Sequence, residues 1–131
     1  MKELRALIEG YRATWEKILC ETDNVDEVNR FFHLPCMFVG ADGSVSLFIV
    51  PEDISTFHRP RLESFQKGGV RKPKTKHFEV IGLGTHSALV SVTWEQCRED
   101  DSVERSWRHS YNAIKTDMGW RILVSTFQSG A

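Results

Sequence analysis

The sequence predicts an α+β fold: three helices gathered toward the N-terminus, and a curved antiparallel sheet supplied mainly by the second half of the chain. Three observations lead there. Apolar residues recur every three or four positions from Leu4 to Leu19. Apolar and polar residues then alternate in three runs near the C-terminus, residues 87–98, 103–116 and 120–129. Finally, the turn-forming stretches Glu99-Asp100-Asp101-Ser102 and Thr116-Asp117-Met118-Gly119 separate those runs.

In chain order, Leu4, Leu7, Ile8, Tyr11, Trp15, Ile18 and Leu19 make one stripe of an amphipathic helix, with Glu3, Arg5, Glu9, Arg12, Glu16 and Lys17 on its wet side. Glu21-Thr22-Asp23 leads to a second helix, capped by Asn24 with Glu27 three residues on, striped by Val25, Val28, Phe31 and Phe32, and ended by Pro35. Residues 37–41 and 45–49 read as a hairpin around Asp42-Gly43. Pro51, Glu52 and Asp53 suit the first turn of a third helix that carries Ile54, Phe57, Leu62 and Phe65. Pro60 removes a backbone donor there, so a kink or break is expected near residues 56–61, and Gly68-Gly69 closes the helix. A strand over residues 75–83 precedes the three C-terminal ones. No repeat, low-complexity stretch or linker interrupts the chain, which reads as one domain over residues 1–131.

On the C-terminal strands one face is expected to carry Ala88, Val90, Val92 and Trp94, then Trp107, His109, Tyr111 and Ala113, then Trp120, Ile122, Val124 and Thr126. The opposite face holds Leu89, Cys97, Ile114, Leu123 and Phe127 and is far from fully polar. A sheet with one side in water alternates more cleanly, so both faces are expected to meet something: helices and a cavity on one side, a partner chain on the other.

A formal net charge of −1 gives no global reason to propose nucleic acid or an anionic membrane. The N-terminal residues lack a continuous apolar run, which argues against a leader or a membrane span. Cys20, Cys36 and Cys97 are widely spaced and form no CxxC pair, so a reducing cytoplasm is the expected location.

Four segments together resemble the nuclear transport factor 2-like superfamily, and within it the polyketide-cyclase-like (SnoaL-like) proteins. They are the long first helix through Trp15; Asp23-Asn24-Val25-Asp26-Glu27-Val28 leading to Phe31-Phe32; Val80-Ile81-Gly82-Leu83 leading to Ala88-Leu89-Val90-Ser91-Val92; and Asp117-Met118-Gly119-Trp120-Arg121-Ile122. The resemblance spans nearly the whole chain. It implies a cone-like sheet wrapped around the first helix, a pocket at the open end, and a homodimer built through the outer sheet face. It implies no single activity, because this scaffold hosts isomerases, dehydratases, hydrolases, cyclases and binding modules.

The steroid-isomerase-like branch needs a carboxylate base at the end of the first strand. The corresponding stretch here is Val39-Gly40-Ala41, and the next residue, Asp42, belongs to a turn dipeptide. No acid accompanies His109 and Tyr111 on the inner face, so catalytic residues stay unassigned. His33 and Cys36 cannot fill a tetrahedral metal shell, and Cys36 reads as a buried structural thiol. No metal and no cofactor are expected. Residues 59–77 carry Arg59, Arg61, Lys67, Arg71, Lys72, Lys74 and Lys76 against the single acid Glu63, a local positive run that reads first as a solvated face.

The expected function is a homodimeric cone that binds a small, largely apolar molecule among Tyr11, Trp15, Phe38, His58, Trp94, Trp107, His109, Tyr111 and Trp120, with pairing through Leu89, Ile114, Leu123 and Phe127. Neither nucleic acid nor a membrane is expected as a partner. Two other readings stay open: acid-base chemistry on such a molecule through His109, Tyr111 and Asp42, or an interaction module whose interior is filled by its own side chains.

Overall fold

The computed structural model describes residues 2–128. Helix α1 (Lys2–Lys17) buries Leu4, Leu7, Ile8, Tyr11 and Trp15, as its spacing requires, and widens into a π-turn at Ile18–Thr22. A 3₁₀ helix (Val25–Phe31) follows, then β1 (Phe32–Val39), β2 (Val45–Phe48), α2 (Pro51–Lys67), β3 (Val70–Gly82), β4 (Ser87–Arg98), β5 (Val103–Thr116) and β6 (Gly119–Phe127). No helix among these residues is long and apolar enough to cross a membrane.

The strands form one curved, unclosed sheet in the order β2-β1-β6-β5-β4-β3. All neighbours are antiparallel except β1 and β6, which run parallel. Chain order explains the exception, because β6 returns to the sheet beside β1 after a long crossover and not through a hairpin. Helix α1 packs against the concave side, touching both β3 and β6. Gly10 lets the 3₁₀ helix come close, since a Cβ there would stand 3.2 Å from Phe31.

Strands β4 and β5 have the predicted bounds, and the Asp42-Gly43 turn lies where the sequence put it, with Gly43 at φ 84°. Four expectations need correction. The second helix is a 3₁₀ segment that stops at Phe31, not at Pro35; the residue before a proline favours extended backbone, so Leu34 and Pro35 already belong to β1. Pro35 falls where the β1–β6 register shifts, between Phe32 and Met37, and its missing N–H interrupts no ladder. Helix α2 runs unbroken through Pro60, because Pro60 and Thr56 are both exposed and water can satisfy the orphaned carbonyl. β3 starts at Val70 and not at residue 75, since Pro73 sits in an edge strand where a lost donor is tolerated. The predicted end of β6 at Ser129 lies outside the described residues.

The fourth correction bears on function. Opposite β5, Asn112 pairs with Val124 but Ala113 pairs with Ile122, so Leu123 is one extra residue. Strand side chains alternate with period two, and one inserted residue flips every position beyond it. Val124 and Thr126 therefore turn outward, while Ser125 and Phe127 turn inward against His109.

Candidate functional site

A cavity of about 310 Å³ lies at the wide end of the cone. Its floor comes from α1, its sides from β4, β5 and β6, and its roof from one face of α2. Eight of the nine predicted residues line it: Tyr11, Trp15, Phe38, His58, Trp94, Trp107, His109 and Tyr111. Trp120 does not. It pairs with Lys115 at the opposite end of β6 and packs, half-buried, against the core there.

Tyr11 lies among five rings, Trp15, Phe31, Phe32, Trp94 and Tyr111, at centroid distances of 5.6 to 6.5 Å and near-perpendicular planes. Edge-to-face pairs of this kind add about 0.5–1.5 kcal/mol each beyond simple burial, so the floor is stiff. His58 is similarly enclosed by Trp15, Phe32, Phe38 and Phe57.

Two indoles set the polarity of the wall. Trp94 Nε1–H donates to the Tyr111 hydroxyl oxygen at 2.8 Å, and Trp107 Nε1–H lies 3.0 Å from His109 Nδ1. An indole nitrogen can only donate, so Nδ1 of His109 accepts and its proton sits on Nε2. Nε2–H then donates to Ser125 Oγ at 2.7 Å.

Burial, reinforced by the charge of Arg61, lowers both histidines to about 3, so both rings are neutral at ordinary pH. Nδ1 of His58 is buried without a hydrogen-bond partner of good geometry, and the Ile54 carbonyl one turn back compensates only in part. Burial also pushes the phenols of Tyr11 and Tyr111 up, and both stay protonated. Arg61 holds the charge. Its guanidinium lies 3.6 Å over Phe57 and 5.5 Å from Phe127, and it donates to the Phe57 carbonyl at 3.1 Å. Burial lowers its pKa, yet guanidinium stays protonated in proteins, and among the described residues it forms no ion pair.

Phe65, Gln96, Arg105, Ser106, Ser125, Phe127 and Arg61 also line the cavity, beyond the residues the sequence predicts there. For several a signal exists. Arg61 and Phe65 follow His58 by three and seven positions on one helical face, and Gln96 continues the inward phase of Val92 and Trp94. Ser125 and Phe127 have none, because the bulge at Leu123 leaves no mark in the pattern. Phe127, expected on the outer face, stacks instead against Trp107 at 5.9 Å.

The remaining candidates lie elsewhere. Asp42 is fully exposed in its turn, and the Ser44 hydroxyl and N–H hold its carboxyl below the usual range. Cys36 is buried and burial pushes its thiol up to about 11, which disfavours the thiolate. His33 Nδ1 faces the Pro35 carbonyl at 2.9 Å. No group of three or more metal-ligating side chains exists among the described residues. Four cations of the basic run are paired, Arg59 with Asp26, Lys72 and Lys74 with Asp101, and Lys76 with Glu95. Such surface pairs contribute about 0–1 kcal/mol.

Solved structures share this architecture. An NTF2-like protein of unknown function from Shewanella oneidensis superimposes with a TM-score of 0.73 at 15% identity, covering 98% of each chain. Aln2 from a Streptomyces species gives 0.72 at 16% identity, over 98% of this chain and 92% of that one. A structure described as a putative scytalone dehydratase from Novosphingobium aromaticivorans gives 0.71 at 13% identity, over 100% and 84%. At these identities the likeness concerns the fold alone. No curated protein matches the sequence. The model of one family matches residues 2–129, and the chain belongs to that family, described as NTF2-like protein (DUF6841).

Proposed function

We propose that this protein binds a small, largely apolar molecule inside the cone. The observation that carries the reading is the cavity itself: with four tryptophans and eight phenylalanines the chain has rings enough to fill a small cone, yet about 310 Å³ stays open among them. A volume of that size is at the lower end of the range for small-molecule sites, and a mostly aromatic wall with a few convergent polar tips is their usual chemistry. A filled interaction module would leave no such space.

Acid-base catalysis has less support. Among the described residues the cavity wall contains no carboxylate, Asp42 lies outside it, and both histidines are poor proton acceptors near neutrality. The observation in favour is the Trp107–His109–Ser125 chain, which orients one imidazole as a shuttle between fixed partners would be oriented.

We also propose pairing of two copies through the outer sheet face. Met37, Val45 and Leu47 are exposed there beside Val124, and Leu89, Ile114 and Leu123 extend the apolar area; Phe127 no longer belongs to it. The three free thiols fit a reducing compartment such as the cytoplasm.

The test of the ligand reading is thermal melting and tryptophan fluorescence against a panel of small aromatic compounds. A ligand that binds only the native state must raise the melting temperature, by an amount that grows with concentration. No shift with any compound, together with turnover that His109→Ala abolishes, would replace binding by catalysis.

A further inference from the structure

We infer that the ligand is a small aromatic carboxylic acid, held as its carboxylate with Arg61 as countercharge and with the hydroxyls of Tyr111 and Ser125 donating to its oxygens. This rests on the ligand reading above and narrows it to a chemical class.

The argument is an inventory of protons. Because Trp94 donates into the Tyr111 oxygen, the Tyr111 hydroxyl keeps its own proton to give. Because His109 must donate from Nε2, Ser125 Oγ accepts and its proton too is left over. Neither hydroxyl has a second partner among the described residues, and both residues are 2% exposed and line the cavity. A buried donor without an acceptor is costly, so each hydroxyl favours an occupant that brings an oxygen.

Charge points the same way. Among the described residues, Arg61 is the one cation on the wall not matched by a neighbouring acid, whereas Arg105 is held by Glu104 at 2.9 Å. A half-buried guanidinium between two phenyl rings is best neutralised by a planar carboxylate, which it meets in bidentate fashion. The acceptors in the wall, Gln96 Oε1 and the neutral imidazole of His58, carry no charge that would repel an anion. A cationic ligand would find Arg61 unfavourable and two hydroxyl protons facing it. An aromatic body follows from the stacked rings of Trp94 and Trp107, with centroids 6.2 Å apart, and of Phe65 beside Trp107 at 6.4 Å.

The test uses three probes of one size and differing only in the head group: cinnamate, cinnamyl alcohol and cinnamylamine, titrated calorimetrically into the full chain at about pH 7.5, with the 2-naphthyl acid, alcohol and amine as a second set. The acid is expected to bind about ten- to hundredfold tighter than the alcohol, the gain of a charged hydrogen bond, and the amine weakest of all. Arg61→Met should abolish the advantage of the acid over the alcohol, and Arg61→Lys should keep part of it, which separates lost charge from lost folding. Tyr111→Phe should reduce the acid more than the alcohol. If alcohol or amine binds as tightly as acid, the inference fails while the ligand reading stands. If no member of either set binds, both fail together.

Discussion

The two ends of the cone are built from the same three strands and behave differently. At the narrow end one rung joins Ala88, Ala113 and Ile122 across β4, β5 and β6, and Leu4 and Ile8 of α1 belong to the same buried core; these side chains do not line the cavity. At the wide end the rungs are Trp94 with Trp107 and His109 with Phe127, under Trp15 and Phe65. Branched aliphatic groups interdigitate to near-crystal density, whereas large flat rings bearing N–H and O–H tips must also meet their hydrogen bonds and cannot close every gap. The narrow end thus holds the fold together, and the wide end spends the same strands on a chemically dressed hollow.

Stability measurements can break this contrast. Ile8→Ala or Ile122→Ala should cost about 2–5 kcal/mol, as cavities in rigid cores do, seen in the urea midpoint. A loss under about 1 kcal/mol would mean that the narrow end is loosely packed. The next effect concerns pH. His58 and His109 hold folded values of about 3 against 6.5 for the free side chain, so between those limits the unfolded chain binds protons that the folded chain refuses. Stability is whole above pH 6.5 and drains away as pH falls toward 3, by at most about 1.4 kcal/mol per pH unit for each ring. His109→Gln should flatten that acid slope relative to the parent chain; an unchanged slope would show that the ring ionises inside the fold.

Trp94→Phe comes next, at about 1–2 kcal/mol, because the Tyr111 oxygen it abandons borders a cavity that water can enter. A loss as large as that of Ile8→Ala would make the wide end part of the structural core. Smallest is Leu47→Ser on the exposed face, within about 0.5 kcal/mol in protomer stability, yet expected to shift the sedimentation of a dimer toward monomer. Unaltered sedimentation would remove that face from the proposed pairing.

Much of this contrast is legible in the residues themselves. The stripe on α1 and the alternation in β4 and β5 are period signals, and they locate Tyr11, Trp15, Trp94, Trp107, His109 and Tyr111 on the inner surface without any coordinates. Proline misleads twice. Read along the chain, Pro35 ends a helix and Pro60 breaks one, but in the fold Pro35 lies within β1 where the register shifts, and Pro60 loses only an N–H on an exposed turn of α2. Arg61 is legible as turned inward only through His58, three positions earlier on the same helical face; by itself it is one of a run of cations, because helix rotation depends on what α2 packs against. Trp120 has the right phase and the wrong rung, a distinction that needs the pairing of β5 with β6.

Leu123 has a consequence for how such a chain could change over time. Losing one codon there would remove the extra residue and leave Asn112 opposite Val124 and Tyr111 opposite Ser125 as before, so a deletion straightens the strand without exchanging its two sides. An exchange needs a different event, a strand that keeps every residue and loses the bulge, which would turn Val124 and Thr126 toward the cavity and Ser125 and Phe127 toward the outer face. The lining of the last rungs is therefore indifferent to loss of this one residue and depends instead on whether the residue, when present, is looped out.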